Sequence, residues 1–436
     1  RRAERGGPAL SWLEAERARL EAILQAIPQL PQSRRYRHWD KVRRLQPPTG
    51  LTHREWWLAL KLKRSMEYRF VGLHSGVGQP FCYALMDPIG EFLHDIDRGT
   101  GRSFTSPDPL RNPDLRDRYV VHSLMEEAIT SSQLEGAVTT RQVAKEMIRS
   151  GRPPRDRSEQ MILNNYYAMQ ELGKLRDEPL TREGLLRLHA IVTNKTLDDP
   201  GDAGRFRRPG QRIEVADESN QVFHTPPPGE ELEERVAAMC AFANGETPKN
   251  FVHPVIRSII LHFWLAYDHP FVDGNGRTAR TLFYWSMLHH AYWLCEFISI
   301  SEIIRKAPSK YGRAFLYTES DENDLTYFIL YHLDVIRRAL RSLQEYVDRK
   351  MTELQSLERR MRSLALLNHR QQALISHALR HPDNRYTIES HQRSHNVVYQ
   401  TARADLLNLA KRELLKSWKL GREWQFEPAD DLEERL

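Results

Sequence analysis

Cysteine is scarce: Cys82, Cys240 and Cys295 are the only three in 436 residues. They lie far apart and form no CxxC pair. That removes a disulfide framework and a cysteine zinc site, and points to a reducing compartment, the cytoplasm. Long apolar runs are missing too. The best candidate, 255–272, is broken by Arg257, His262 and Asp268, so no membrane span and no membrane partner are expected. The N-terminus has arginines, but also Glu4, Glu14 and Glu16, and no apolar stretch. Neither a signal peptide nor an anchor is expected, and the absent initiator Met fits a processed or trimmed start. Neither charge sign dominates. Lys and Arg number 64 against 58 Asp and Glu, leaving +6. This is only a mild lean towards polyanionic partners. The chain has no internal repeat, no low-complexity tract and no GxxxxGK[ST] phosphate loop.

What is present reads as ordinary globular material, 40% hydrophobic and 28% charged, enough for two or three domains. Helical periodicity dominates, so the fold class is mainly α. Leu13, Leu20, Ile23, Leu24 and Ile27 share one face of an opening helix that Pro28 ends. A second helical stretch spans Trp56–Val71, and a short hairpin is expected within 71–90. The proline-rich segment 105–114 reads as a linker. Beyond it, most windows to about 345 are helical. The exception is 210–229, where Arg212–Val215 and Val222–His224 flank the turn-like Asp217–Asn220 and predict a hairpin. A polar connecting helix is expected over 346–366. In the tail, 367–436, three helices precede a β-wing centred on Gly421, which resembles a winged helix-turn-helix. Its third helix carries Arg403, Lys411, Arg412 and Lys416 offset by Asp405 and Glu413. DNA and a protein partner are therefore equally open for it. The expected division is an N-terminal accessory region 1–112, a core 113–345, the connecting helix and the tail.

The chemistry concentrates in "HPFVDGNGRTAR", His269 to Arg280. Gly274, Asn275 and Gly276 tolerate unusual backbone angles, so successive amides can turn into one concavity. A helix starts there, and a glycine turn feeding a helix N-terminus binds anions, phosphate above all. Arg277 and Arg280 stand three apart, and arginine's fork suits phosphate oxygens. Asp273 offers a hard oxygen ligand for Mg²⁺ beside such phosphates. His269 can take a proton from an attacking hydroxyl. Phe271 alternates with these groups and is expected in the core. Singly, a His before Pro or a GNG turn is usually structural. Together and in this order they spell phosphoryl or nucleotidyl transfer.

The stretch fits HxFx[D/E]GNGRxxR in full and so resembles the signature of the Fic family of protein adenylyltransferases. The resemblance covers roughly 117–345. It implies transfer of AMP from ATP to a Tyr, Thr or Ser hydroxyl of a target protein. His269 would be the base and Asp273 the Mg²⁺ ligand. Gly274, Asn275, Gly276 and Arg277 would cradle the phosphates, and Arg280 would grip the γ-phosphate. Tyr311 would lie near the adenine, although Lys310 stands where the family commonly has a first tyrosine. Val222, Phe223 and His224 would form the flap edge that pairs with the target backbone. Within "TSSQLEGAVTT", Ser131, Glu135 and Gly136 fit the family's inhibitory pattern [S/T]xxxE[G/N], with Glu135 pairing Arg280. The alternatives are removal of AMP, transfer of another phosphate-containing group, or a DNA-binding regulator whose core senses nucleotide. Self-modification and a homodimer also stay open.

Overall fold

The computed structural model describes residues 19–27, 36–101, 113–216, 222–365, 367–381, 384–421 and 423–435. Leu13, most of the 105–114 linker and the turn Asp217–Asn220 lie outside them. The chain forms two compact units, Arg1–Gln344 and Glu345–Leu436.

The first unit opens with α1 (Leu20–Ala26), α2 (Trp39–Val42) and α3 (His53–Ser65). Thr52 caps α3, accepting from the Glu55 amide, while the Glu55 carboxylate accepts from the Thr52 amide. Ile23, Val42 and Trp56–Ala59 pack into a small core. The helix expected to reach Val71 stops at Ser65. From Tyr68 the sequence "YRFVGLH" is rich in aromatic and β-branched residues and becomes a strand. β1 (Tyr68–His74) pairs antiparallel with β2 (Pro80–Ala84), so the hairpin begins slightly before the expected span. Lys61 and Arg64 of α3 are buried and bind Asp321 at 2.8 and 2.6 Å, and Arg64 also reaches Asp324 at 3.0 Å. Burial raises the Asp321 pKa, but Arg64 and Lys61 more than reverse it and hold the carboxyl below its usual range.

After α4 (Ile89–Gly101) come α5 (Pro113–Leu134), α6 (Arg141–Ser150), α7 (Arg157–Leu175) and α8 (Arg182–Thr193). Next are the two-stranded sheet of β3 (Val215–Ala216) and β4 (Val222–His224), then α9 (Leu232–Ala243) and α10 (Pro254–Asp268). α11 (Asn275–His289), α12 (Ile300–Arg305), α13 (Pro308–Ser320) and α14 (Thr326–Ala365) follow. α10 is buried on every side: Val255, Ile256, Ile259, Leu261 and Phe263 are all fully covered. A helix apolar all round belongs at the centre of a bundle. Each such side chain contributes about 1.5–3 kcal/mol of burial. α11 is its main neighbour, and the loop joining them is the signature stretch.

The connecting helix expected over 346–366 is instead the distal part of α14, which starts at Thr326. No Gly or Pro interrupts the sequence before Ala365, so nothing ends the helix earlier. The second unit continues with α15 (His369–Arg380), β5 (Tyr386–Thr387), α16 (Ile388–His395) and α17 (Tyr399–Lys411). β6 (Leu415–Leu420), β7 (Glu423–Pro428) and α18 (Leu432–Arg435) complete it. The sheet order is β5-β7-β6, all antiparallel. Asn396, at φ 49, turns the chain between α16 and α17, and Gly421, at φ 65, makes the wing tip. The three helices and the hairpin turning at Gly421 match the elements expected of the tail, whereas β5 and α18 are additions to them. Asp405 does not lie on the surface of α17: it is buried, accepting from Arg370 and Asn368 at 2.7 Å. No helix among the described residues is long and apolar enough to cross a membrane.

Candidate active site

α10 ends at a buried acid. Asp268 accepts from Arg235 at 2.6 Å and from the Trp264 indole at 3.0 Å. The next residue, His269, takes the left-handed conformation, φ 46 and ψ 55, and Pro270 prevents the helix from resuming. The His269 ring meets the Ala266 carbonyl through Nδ1 at 3.2 Å. A carbonyl can only accept, so Nδ1 carries the proton and Nε2 keeps its lone pair. Burial lowers the His269 pKa to about 4, assisted by His224 and Arg207 and opposed by Ala266 and Glu135. The imidazole is therefore a free base at neutral pH. It lines a cavity of about 550 Å³ with Glu135, Phe223, Gly276, Tyr311 and Phe315.

The loop is held by groups that touch no solvent. Phe271 is buried, as expected, and stacks on His189 with centroids 3.7 Å apart and planes within 2°. His189 Nε2 donates to the Asp273 carbonyl at 2.9 Å, and its Nδ1 accepts from the Gly204 amide at 3.0 Å. The Asn275 side chain accepts from the Phe271 amide at 3.0 Å and donates to the Phe271 carbonyl at 2.8 Å. Asn275 thus clamps the loop. Its side chain is not aimed at a phosphate, because both polar atoms are spent on the backbone. Gly274 sits at φ 82, and a Cβ there would strike Thr193. Both the angle and the space demand glycine.

α11 starts at Asn275, and Gly276 in its first turn lines the cavity. Arg277 turns away. It is 1% exposed, donates to the Val192 carbonyl at 3.1 Å and lies 3.6 Å from Asp273. It supports the loop from behind. Arg280, equally buried, is held by α5 and the residue that follows it: its Nε donates to Ser131 Oγ at 2.8 Å, and its Nη2 to Ser131 O at 3.0 Å and to Glu135 Oε1 at 2.9 Å. Burial works against the Arg280 charge, but Glu135 more than offsets it and raises the pKa. A Cβ on Gly276 would collide with the Glu135 carboxylate. That carboxylate lies over the helix N-terminus, where an anion would bind. Gly136 follows at φ 92 and turns the chain out of α5.

Three further groups complete the picture. Tyr311 lines the cavity, and its hydroxyl meets His262 at 2.9 Å. Burial pushes its pKa up to about 12. Asp273 is 44% exposed, with Arg157 at 3.4 Å. No cluster of three or more metal-ligating side chains exists among the described residues. A single open carboxylate suits a Mg²⁺ that arrives already held by phosphates, not a preformed cage. In the flap, β3 pairs with β4 through Val215–His224 and Ala216–Val222. Val222 is exposed and Phe223 faces the cavity. His224 is no free docking edge: its ring is buried, with Nε2 donating to the Tyr267 carbonyl at 2.6 Å and Nδ1 3.1 Å from Glu319. It anchors the flap.

Sequence reading passed over His189 and Arg207. His189 lies in the apolar run "LLRLHAIVT" and looks like a core histidine. Arg207 hides in the arginine-rich "GRFRRPGQR" just before the flap. Only that position, next to a predicted hairpin, could have marked it.

A family model described as Fic/DOC family matches residues 179–287. A protein adenylyltransferase Fic from Nematostella vectensis is 28% identical over 200 residues, 44% of this chain and 43% of that protein. Its counterpart from Drosophila mojavensis is 36% identical over 106 residues, 24% of this chain and 18% of that one. The chain thus spans less than half the length of these curated relatives. Among solved structures, a Fic family protein from Desulfovibrio desulfuricans aligns over 80% of this chain and 98% of its own. Its TM-score is 0.52 at 20% identity, a likeness of fold. The matched segment contains the whole loop His269–Arg280, so the likeness to the Fic/DOC family rests on the residues that build this site.

Proposed function

We propose that this protein transfers AMP from ATP to a hydroxyl of a target protein, and that its own Glu135 restrains the reaction. One observation carries the reading: a carboxylate of the chain sits on Arg280 and over Gly276, filling an anion site beside a cavity that a neutral histidine faces. A site built for phosphate with an internal anion in place is a restrained phosphate site. The half-open, mostly aromatic and aliphatic cavity falls in the size range of small-molecule sites, about 300–1,000 Å³.

In the transfer, the target oxygen bonds to the α-phosphorus and the bond from that phosphorus to the bridging oxygen of the β-phosphate breaks. The hydroxyl proton passes to His269 Nε2, and pyrophosphate leaves. Bound Mg²⁺ would neutralise the charge that grows on the leaving oxygens. The amides of Gly274 to Gly276 and the Arg280 guanidinium orient the triphosphate. The direct test uses ATP labelled at the α- or the γ-phosphate, with wild type and Glu135→Gly. Label should move to protein from the α position alone. No transfer from either position by either protein would sink the reading.

Two narrower expectations follow from the placement of Asp273 and the flap. Asp273→Ala should lose most Mg²⁺-dependent labelling, on the order of 10²-fold, because Asp273 is the only carboxylate within the signature. Titrating Mg²⁺ against the labelling rate checks this, and an unchanged metal requirement would refute the role. Inserting proline at Val222 should cut target labelling, since strand pairing needs backbone groups. ATP affinity should hold. If both fall together, the flap does not select the target.

A further inference from the structure

Arg207 is 4% exposed, and among the described residues it has no ion-pair partner. Its guanidinium is spent on carbonyls instead. Nε donates to His269 O at 2.9 Å, and Nη2 donates to Asp268 O at 3.3 Å and to Pro227 O. Its backbone amide donates to Pro270 O at 2.9 Å. Burial, with the nearby Arg235 charge, lowers its pKa against the pull of Asp268 and Glu230. A buried cation without an acid partner is a costly feature, tolerated where its hydrogen bonds are needed.

The four acceptors belong to two functional parts. Asp268, His269 and Pro270 begin the catalytic loop. Pro227 is where the chain leaves the flap. The neck of the flap is closed at the same level: a Cβ on Gly229 would meet the Arg208 carbonyl at 2.7 Å, and the Gly210 amide donates to Glu230 at 3.0 Å. His269 occupies the left-handed conformation, which is uncommon outside glycine. The carbonyl flanking that conformation is the one Arg207 holds.

We propose that Arg207 is a positioning residue that ties the flap to the catalytic loop, so that seating a target strand and aiming His269 are one event. The inference rests on the AMP-transfer reading. A planar fork is needed, because the carbonyls lie on both the flap and the loop side of the guanidinium. The point charge of lysine cannot span them in a fixed orientation.

The test compares Arg207→Lys and Arg207→Gln, each in the Glu135→Gly protein. We expect kcat for target labelling to fall about 10- to 100-fold, as small misplacements of reacting groups do, while the KM for ATP stays near the parent's. Thermal melting separates this from unfolding; the lysine variant should melt close to the parent. If the parent labels and both variants label at its rate, the inference is overturned. Equal losses in kcat and in ATP affinity would also overturn it. If the parent itself does not label, the transfer reading has failed, and hydrogen exchange then decides. In Arg207→Lys the amides of 222–224 and of 271–276 should lose protection together. Unchanged protection in both segments would overturn the coupling.

Discussion

His269→Ala, made in the Glu135→Gly protein, should cut AMP transfer by about 10²–10⁴-fold, the usual loss when a general base is removed. ATP binding should survive almost intact. The reason is a division of labour in the loop. In the proposed reaction the anion contacts would come from the amides at the start of α11 and from Arg280, whereas the His269 ring is tied back to Ala266 through Nδ1. Its free Nε2 has no bond to give to a phosphate and can only take a proton. The environment also fixes when it can do so. Burial holds its pKa near 4, so the base form persists through the neutral range. The acid limb of kcat/KM, which reports groups of the free enzyme, should therefore lie well below the ordinary histidine value of about 6.5. Rates would be read with ATP kept as its magnesium complex. A variant that transfers AMP at the parent's rate would remove His269 from the mechanism. A limb at the ordinary value would show that the ring is solvated when it works.

The helical class and the signature were both legible in the sequence, for different reasons. α10 and α11 are long and strongly patterned, and the turn between them is forced by Pro270 and Gly274. What the sequence could not assign was direction. Arg277 and Arg280 stand three apart and look equivalent. Packing against Val192 turns the first behind the loop, and Ser131 with Glu135 holds the second at the cavity. Asn275 reads as a phosphate ligand beside two glycines, yet both its polar atoms close the loop on Phe271. His224 falls in a strand-like run and suggests an exposed edge, but contacts with Tyr267 and Glu319, distant in sequence, bury it. In the tail, Asp405 seemed to dilute a basic helix, while Arg370 and Asn368 draw it inward. Except for Asn275, whose partner Phe271 is four residues away, the deciding partner lies far along the chain, where local pattern carries no information. α14 is the opposite case. Local propensity alone favours one unbroken helix, and the division into two units at Gln344 and Glu345 leaves no breaker in its sequence.

Glu135→Gly should raise AMP labelling, including self-labelling, by well over tenfold. The carboxylate holds the guanidinium that the γ-phosphate needs and puts negative charge where that phosphate must sit. Two like charges about 4 Å apart repel by about 4 kcal/mol at an effective dielectric near 20. Glu135 is 30% exposed, so solvent screens part of this. Even a third of it is worth about tenfold in an equilibrium. Breaking a buried ion pair normally costs about 3–5 kcal/mol, because the remaining charge is stranded. Here Arg280 keeps its bonds to the Ser131 hydroxyl and carbonyl, and bound ATP supplies a new anion. The nucleotide-free variant should melt lower than wild type, and ATP should restore much of the difference. Arg280 also sets the control. Glu135→Gly combined with Arg280→Ala should lose most of the gain, since the freed clamp is then missing. Initial labelling rates of wild type, both single variants and the double separate the cases. Equal rates for wild type and Glu135→Gly would reduce Glu135 to a structural partner of Arg280, leaving the catalytic role of His269 to stand on its own test.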